Sequence, residues 1–176
     1  EFHRPSVSID NKRERFQQML SLVRGMEPIP TAVAHPCDKE SLKGPVIAFH
    51  EGIIEPILVG PESRIRGVAE EFGIDLHGIR IVNAKHSHDA AAIAVSLVRT
   101  GDAEALMKGS LHTDELMAEV VARANGLRTA RRISHVFLMD VPTYPRPILI
   151  TDAAINIAPT LEEKVDIIQN SIDLAH

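Results

Sequence analysis

The chain has 176 residues, a formal net charge of −5, 44% hydrophobic residues and 24% charged ones. That composition supports a sizeable core and excludes a disordered chain, while the acidic balance, 3% aromatics and absence of Trp exclude the basic, base-stacking surface of a nucleic-acid binder. One cysteine, Cys37, excludes an internal disulfide framework; no stretch is apolar enough to span a membrane and no signal region opens the chain, so a cytoplasmic location is expected.

Residues 1–11, with Pro5 among small polar neighbours, read as a tail or linker, which leaves 12–176 as one α/β domain. Phe16, Met19, Leu20 and Val23 recur at i, i+3, i+4, i+7, a helical face stopped by Gly25 and by Pro28 and Pro30. Thr31–His35 is a short apolar strand. Ser41–Glu51 is a helix with Leu42, Val46 and Phe49 inward, and Pro45 is placed in its first turn, where a missing N–H costs least. Pro56–Val59 is a second strand. Glu62–Phe72 is a helix closed by Gly73. Ile79–Val82, the Ala-rich helix Ser87–Arg99, the strand Ala105–Lys108 and the helix Thr113–Ala124 continue the alternation. Ile133–Met139 and Ile148–Thr151 are two further strands around Pro142, Pro145 and Pro147, read either as a hairpin or as a pair extending the sheet edge. Thr160-Leu161-Glu162-Glu163 is a capping box that opens a last helix, striped by Leu161, Val165, Ile168, Ile172 and Ala175.

Four rounds of strand–helix alternation with continuously apolar strands predict a three-layer α/β fold: a mostly parallel sheet with helices on both faces. Ligands of such sheets bind beyond the carboxyl ends of the strands. The strongest candidate there is Lys108–Thr113, between a strand and a helix. Gly109 permits close approach of the backbone to a ligand, Ser110 and Thr113 offer hydroxyls, Lys108 adds positive charge, and the free N–H groups of the helix start favour an anion, phosphate above all. A plainer reading makes Thr113 a cap and Lys108 a solvated charge. The loop lacks the order of a Walker P-loop. His86-Ser87-His88-Asp89 lies at another such junction, but no further ligand follows at metal spacing, so Ser87 is read as a helix cap and Asp89 as a charge that favours the positive end of that helix and is also placed to orient one imidazole. At His35-Pro36-Cys37-Asp38-Lys39 a catalytic thiol is set against a small core residue, with Asp38 or Ser41 as cap. Asp152 and Asn156, after the Ile148–Thr151 strand, position a substrate or simply shape a turn. Arg131 and Arg132 reach a phosphate or stay solvated, and His135 is a core or edge histidine.

Five segments occur in order: Ala34–Asp38, Ile57–Pro61, Leu106–Thr113, Ile133–Phe137 and Ile150–Asn156. Together they resemble the phosphate acetyl/butyryltransferase family, over about Arg13 to His176, and most of all its branch fused behind an enoyl-CoA hydratase-like module. The resemblance implies a two-domain fold like that of isopropylmalate and isocitrate dehydrogenases. It also implies exchange of an acyl group between coenzyme A and phosphate, usually in a homodimer, with coenzyme A as substrate and with neither a metal nor a redox cofactor. Lys108, Gly109, Ser110, His112 and Thr113, with Asp152 and Asn156, are then expected to bind substrate along one wall of the cleft. The family's Asp base, with its Ser and Arg neighbours, belongs to a C-terminal half that 1–176 does not contain, and Leu116-Met117-Ala118-Glu119 stands where some members carry an Arg. The missing initiator Met and an end just after an amphipathic helix read as a piece of a longer protein. The alternatives are a non-catalytic CoA- or phosphate-binding assembly domain and, without any G-x-G-x-x-G, a decarboxylating dehydrogenase relative.

Overall fold

A parallel strand pair needs a crossover, and each apolar strand of this chain is followed by a helix that supplies one. The computed structural model describes residues 11–141 and 143–176. Of the expected tail, 1–10 lie outside the described residues, as do Pro142 and the side chain of Phe16. The elements are α1 (Asn11–Val23), β1 (Ile29–Ala34), α2 (Lys39–His50), β2 (Ile54–Gly60), α3 (Glu62–Phe72), β3 (Arg80–Asn83), α4 (Ser87–Thr100), β4 (Ala105–Lys108), α5 (Thr113–Val120), β5 (Val136–Met139), β6 (Ile148–Thr151) and α6 (Leu161–Ala175). They form two compact units: Val23–Arg128, and the described residues up to Leu22 together with Thr129–His176.

The larger unit is a four-stranded parallel sheet in the order β3-β2-β1-β4. Side chains alternate across each strand, so successive core residues serve opposite faces. Ala32, Ala34, Ile57 and Val59 pack with Ala90, Ala91, Ala94 and Val95 of α4 and Leu116 of α5. Val33 and Leu58 pack on the other side with Leu42 and Val46 of α2 and Ile65 and Ala69 of α3. The result is three layers, with both faces of the central strands closed to water. Small residues dominate the first face because α4 is Ala-rich, and Ala against Ala brings helix and sheet close.

Local chemistry sets the helix boundaries. Asp38 and Ser41 form a reciprocal capping box that starts α2 at Lys39. Pro45 consequently lies one turn further in than the expected first-turn position, inside the helix and fully buried, where its ring contributes core volume in place of a helix hydrogen bond. Gly73, at φ 63, closes α3 in the left-handed conformation. The fifth helix is shorter than the periodicity predicts. Its last carbonyls are taken by a turn instead, Leu127 N–H donating to Val120 and Gly126 N–H to Ala122.

In the smaller unit β5 and β6 pair antiparallel as a sheet of their own, from Val136↔Thr151 to Met139↔Ile148, which is the hairpin alternative. The strand expected from Ile133 begins only at Val136, because the backbone before it is engaged by side chains: Asp152 accepts from His135 N–H, and Asn156 donates to the Ile133 carbonyl. Helix α6 starts at the expected Thr160–Glu163 capping box.

Candidate functional site

Strand β1 leads into α2 on one face of the sheet, while its neighbour β4 leads into α5 on the other. Two loops that leave adjacent carboxyl ends in opposite directions open a crevice between them, the place where open α/β sheets take ligands. Here the loops are His35–Asp38 and Gly109–His112.

They are tied together by backbone. Gly109 N–H donates to the Ala34 carbonyl and Ser110 N–H to the His35 carbonyl, both at 2.9 Å. The approach is so close that a Cβ on Gly109 would overlap the Ala34 carbonyl oxygen and sit 2.6 Å from that of His35. Only glycine fits, and what comes close to it is the backbone of β1 rather than the ligand that the sequence suggests.

Ser110 then fixes the imidazole beside it. Its hydroxyl lies 2.8 Å from the His35 carbonyl, 3.1 Å from His35 Nδ1 and 3.3 Å from the Cys37 amide nitrogen. An oxygen–oxygen distance of 2.8 Å is that of a made O–H···O bond, so the one hydroxyl proton lies toward the carbonyl. Oγ must therefore accept from both nitrogens, and His35 carries its proton on Nδ1. Burial, reinforced by the Arg64 guanidinium, holds this imidazole below its ordinary 6.5 against the opposing fields of Glu115 and Asp38. His35 is thus neutral near pH 7, and it adopts the left-handed backbone region at φ 56, uncommon for a residue with a side chain.

Cys37 is 3% exposed, and burial pushes its thiol up, with Arg64 opposing and Asp38 assisting. It is a protonated core residue rather than an activated nucleophile. The Asp38 carboxyl is drawn down chiefly by the Ser41 amide that it caps.

Helix α5 begins at Thr113 behind His112, whose side chain makes no capping bond. Its first-turn N–H groups are left to solvent or ligand, and Asp114 and Glu115 temper the positive end. Thr113 is therefore the first helical residue and not a cap. The ammonium of Lys108 reaches the Gly109 carbonyl at 3.4 Å. Glu115 holds one oxygen buried without a partner, and its other oxygen lies 4.0 Å from His88 Nε2. The cap of α4 is His86 rather than the expected Ser87. Its Nδ1 accepts from the Asp89 N–H, while the Asp89 carboxylate turns back to the Lys85 N–H and orients no ring. Among the described residues no group of three His, Cys, Asp or Glu side chains is set to hold a metal ion.

Asp152 and Asn156 lie in the smaller unit. Both Asp152 oxygens are engaged, by the N–H groups of His135, Ala154, Ile155 and Asn156 and by the Asn156 amide. Desolvation pushes this carboxyl up, but the Asn156 side chain and those backbone donors outweigh it and bring it down to about 2. Arg132 Nε donates to Asn156 Oδ1 and its guanidinium pairs with Glu163, while Arg131 pairs with Asp173. These residues knit the turn to α6. The sequence offers Lys108–Thr113 and His35–Lys39 as separate candidates, but neither the pairing of the two loops through His35 and Ser110 nor the influence of Arg64 on that imidazole shows in it. The available signal for His35 was its position at the end of a buried strand.

The phosphate acetyl/butaryl transferase family profile matches residues 85–176. A phosphate acetyltransferase of Rickettsia prowazekii (strain Madrid E) is 54% identical over 167 residues, 95% of this chain and 48% of its own length. One from Rhizobium meliloti is 58% identical over 160 residues, 91% of this chain and 51% of its own. The crystal structure of a phosphotransacetylase from Streptococcus pyogenes shares the fold, with a TM-score of 0.77 at 21% identity over 96% of this chain and 58% of that one. The chain spans about half the length of the curated relatives it matches.

Gly109→Ala is expected to cost at least about 2 kcal/mol in urea unfolding, because backbone rather than a flexible side chain must move. The low pKa of Asp152 stabilises the fold above its ordinary 3.8, and that contribution is lost as pH falls toward about 2. Asp152→Asn should therefore remove about 1–2 kcal/mol at pH 7, after solvent screening, and flatten the acid limb of a stability–pH curve.

Proposed function

Because this chain belongs to the phosphate acetyl/butaryl transferase family, we propose that the protein moves an acyl group, acetyl or butyryl, between coenzyme A and inorganic phosphate, and that the crevice between the His35 and Gly109 loops takes the phosphate. The observation that carries the site is the uncapped start of α5 beside Lys108. Free N–H groups and an ammonium are donors suited to a phosphoryl anion. In the reaction a phosphate oxygen attacks the thioester carbonyl, the tetrahedral oxyanion collapses, and the C–S bond breaks to release the coenzyme A thiolate, which takes up the proton that phosphate gives up. Positive charge and N–H donors lower the barrier by stabilising that oxyanion and by orienting the nucleophile.

The same reading includes a homo-oligomer, a fused enoyl-CoA hydratase-like module and a cytoplasmic setting. Self-association is supported by the apolar stripe of α6, where Val165 and Ile168 are more than half exposed. The compartment follows from the substrates, since coenzyme A thioesters are handled inside the cell. No described helix is long and apolar enough to cross a membrane.

Formation of acyl phosphate from acetyl-CoA or butyryl-CoA, trapped as the hydroxamate, tests the activity. Lys108→Ala should raise KM for phosphate about tenfold, the loss of about 1.4 kcal/mol of binding, with a smaller change in kcat. Phosphate binding without turnover, measured on a protein that spans its relatives' full length, would instead support the non-catalytic assembly domain.

A further inference from the structure

His35 is only 7% exposed, and among the described residues Thr31 is the other buried polar residue of the core. Thr31 satisfies itself on the Ile29 carbonyl. The imidazole of His35 spends Nδ1 on Ser110, and Nε2 has no hydrogen-bond partner among the described residues. Nor is Nε2 sealed in the core: among the described residues the fully buried, unpartnered side-chain atoms are Glu115 Oε2 and His135 Nδ1. It therefore keeps some exposure, on a residue that stands at the carboxyl end of β1 beside the Gly109–His112 loop.

Its chemistry there is one-sided. With the proton held on Nδ1 by the Ser110 oxygen, Nε2 offers a lone pair and no hydrogen. A fully deprotonated oxyanion placed against it meets lone pair with lone pair. An oxyanion that keeps a hydroxyl makes a hydrogen bond. Lys108 and the N–H groups of α5 attract any small anion of the right charge, so they do not separate one tetrahedral dianion from another.

We propose that His35 is the residue by which this site tells phosphate from sulfate: Nε2 accepts a hydrogen bond from the hydroxyl that inorganic phosphate keeps near neutral pH and that sulfate lacks. The proposal rests on the reading that this crevice binds phosphate. Discrimination of this kind is steep because the wrong anion leaves a nearly buried acceptor unpaired, whereas a charge contact is forgiving. Burial and Arg64 keep the ring neutral, as the role requires, against Asp38 and Glu115. Ser110 is then a positioning residue, which fixes the tautomer without touching the anion.

Isothermal titration of the protein with inorganic phosphate and, separately, sulfate at pH 7.5 tests this. The wild type should bind phosphate at least about tenfold more tightly than sulfate. His35→Gln, whose amide can donate or accept, should bring the ratio close to one, chiefly by admitting sulfate. Equal affinity of the wild type for the two anions overturns the proposal and leaves the phosphate site standing. A wild type that binds no phosphate overturns both. Should His35→Gln fail to fold, ¹⁵N shifts of the wild-type imidazole decide: a pyridine-like Nε2 that moves with phosphate and not with sulfate is expected, and a protonated Nε2 in the free protein contradicts the assignment.

Discussion

The carbonyl oxygens of Ala34 and His35, at the end of the central strand β1, receive the amides of Gly109 and Ser110 from the neighbouring strand's loop at 2.9 Å each. This contact continues the β1–β4 ladder one step past the strands, beyond the Ala34↔Lys108 pair, at the point where the two loops must part. It exists because position 109 lacks a Cβ. The order of the site depends on it. Ser110 reaches the His35 ring only because its own backbone is pinned there, and α5 starts behind His112 at a set place relative to β1.

Charge in the crevice is balanced rather than uniformly positive. Lys108, Arg64 and the free end of α5 attract anions, while Asp114 and Glu115 occupy the first turn of the same helix and Glu115 keeps one buried oxygen without a partner. A site of this composition favours an anion by geometry more than by net charge, in keeping with a chain whose overall charge is −5. The neutral, single-tautomer imidazole of His35 adds directionality that point charges do not supply.

The legible parts of the fold are those governed by local chemistry. Helix α3 carries its own stop in Gly73, α6 its own start in Thr160 and Glu163, and β4 and β6 are apolar runs bounded by polar residues. Pro45 is misplaced by one turn because the Asp38–Ser41 box outcompetes the preference of proline for a first turn, which only the packing of that ring into the core makes tolerable. The start of β5 is equally hidden, since Asp152 and Asn156, 17 and 23 residues further on, claim the preceding backbone. At the site, the Lys108–Thr113 loop shows in glycine, hydroxyl and lysine chemistry. The His35–Ser110 pair does not, because its members are 75 residues apart and meet only once the sheet order places β4 beside β1.

The most direct measurement of this account is amide hydrogen exchange at Gly109 and Ser110. Protection comparable to that of the His35 amide, which donates to Val59 within the sheet, is the predicted result. Exchange of both amides at the rate of an unstructured peptide would show that the two loops are not joined, and the crevice, its fixed imidazole and its glycine requirement would fall together.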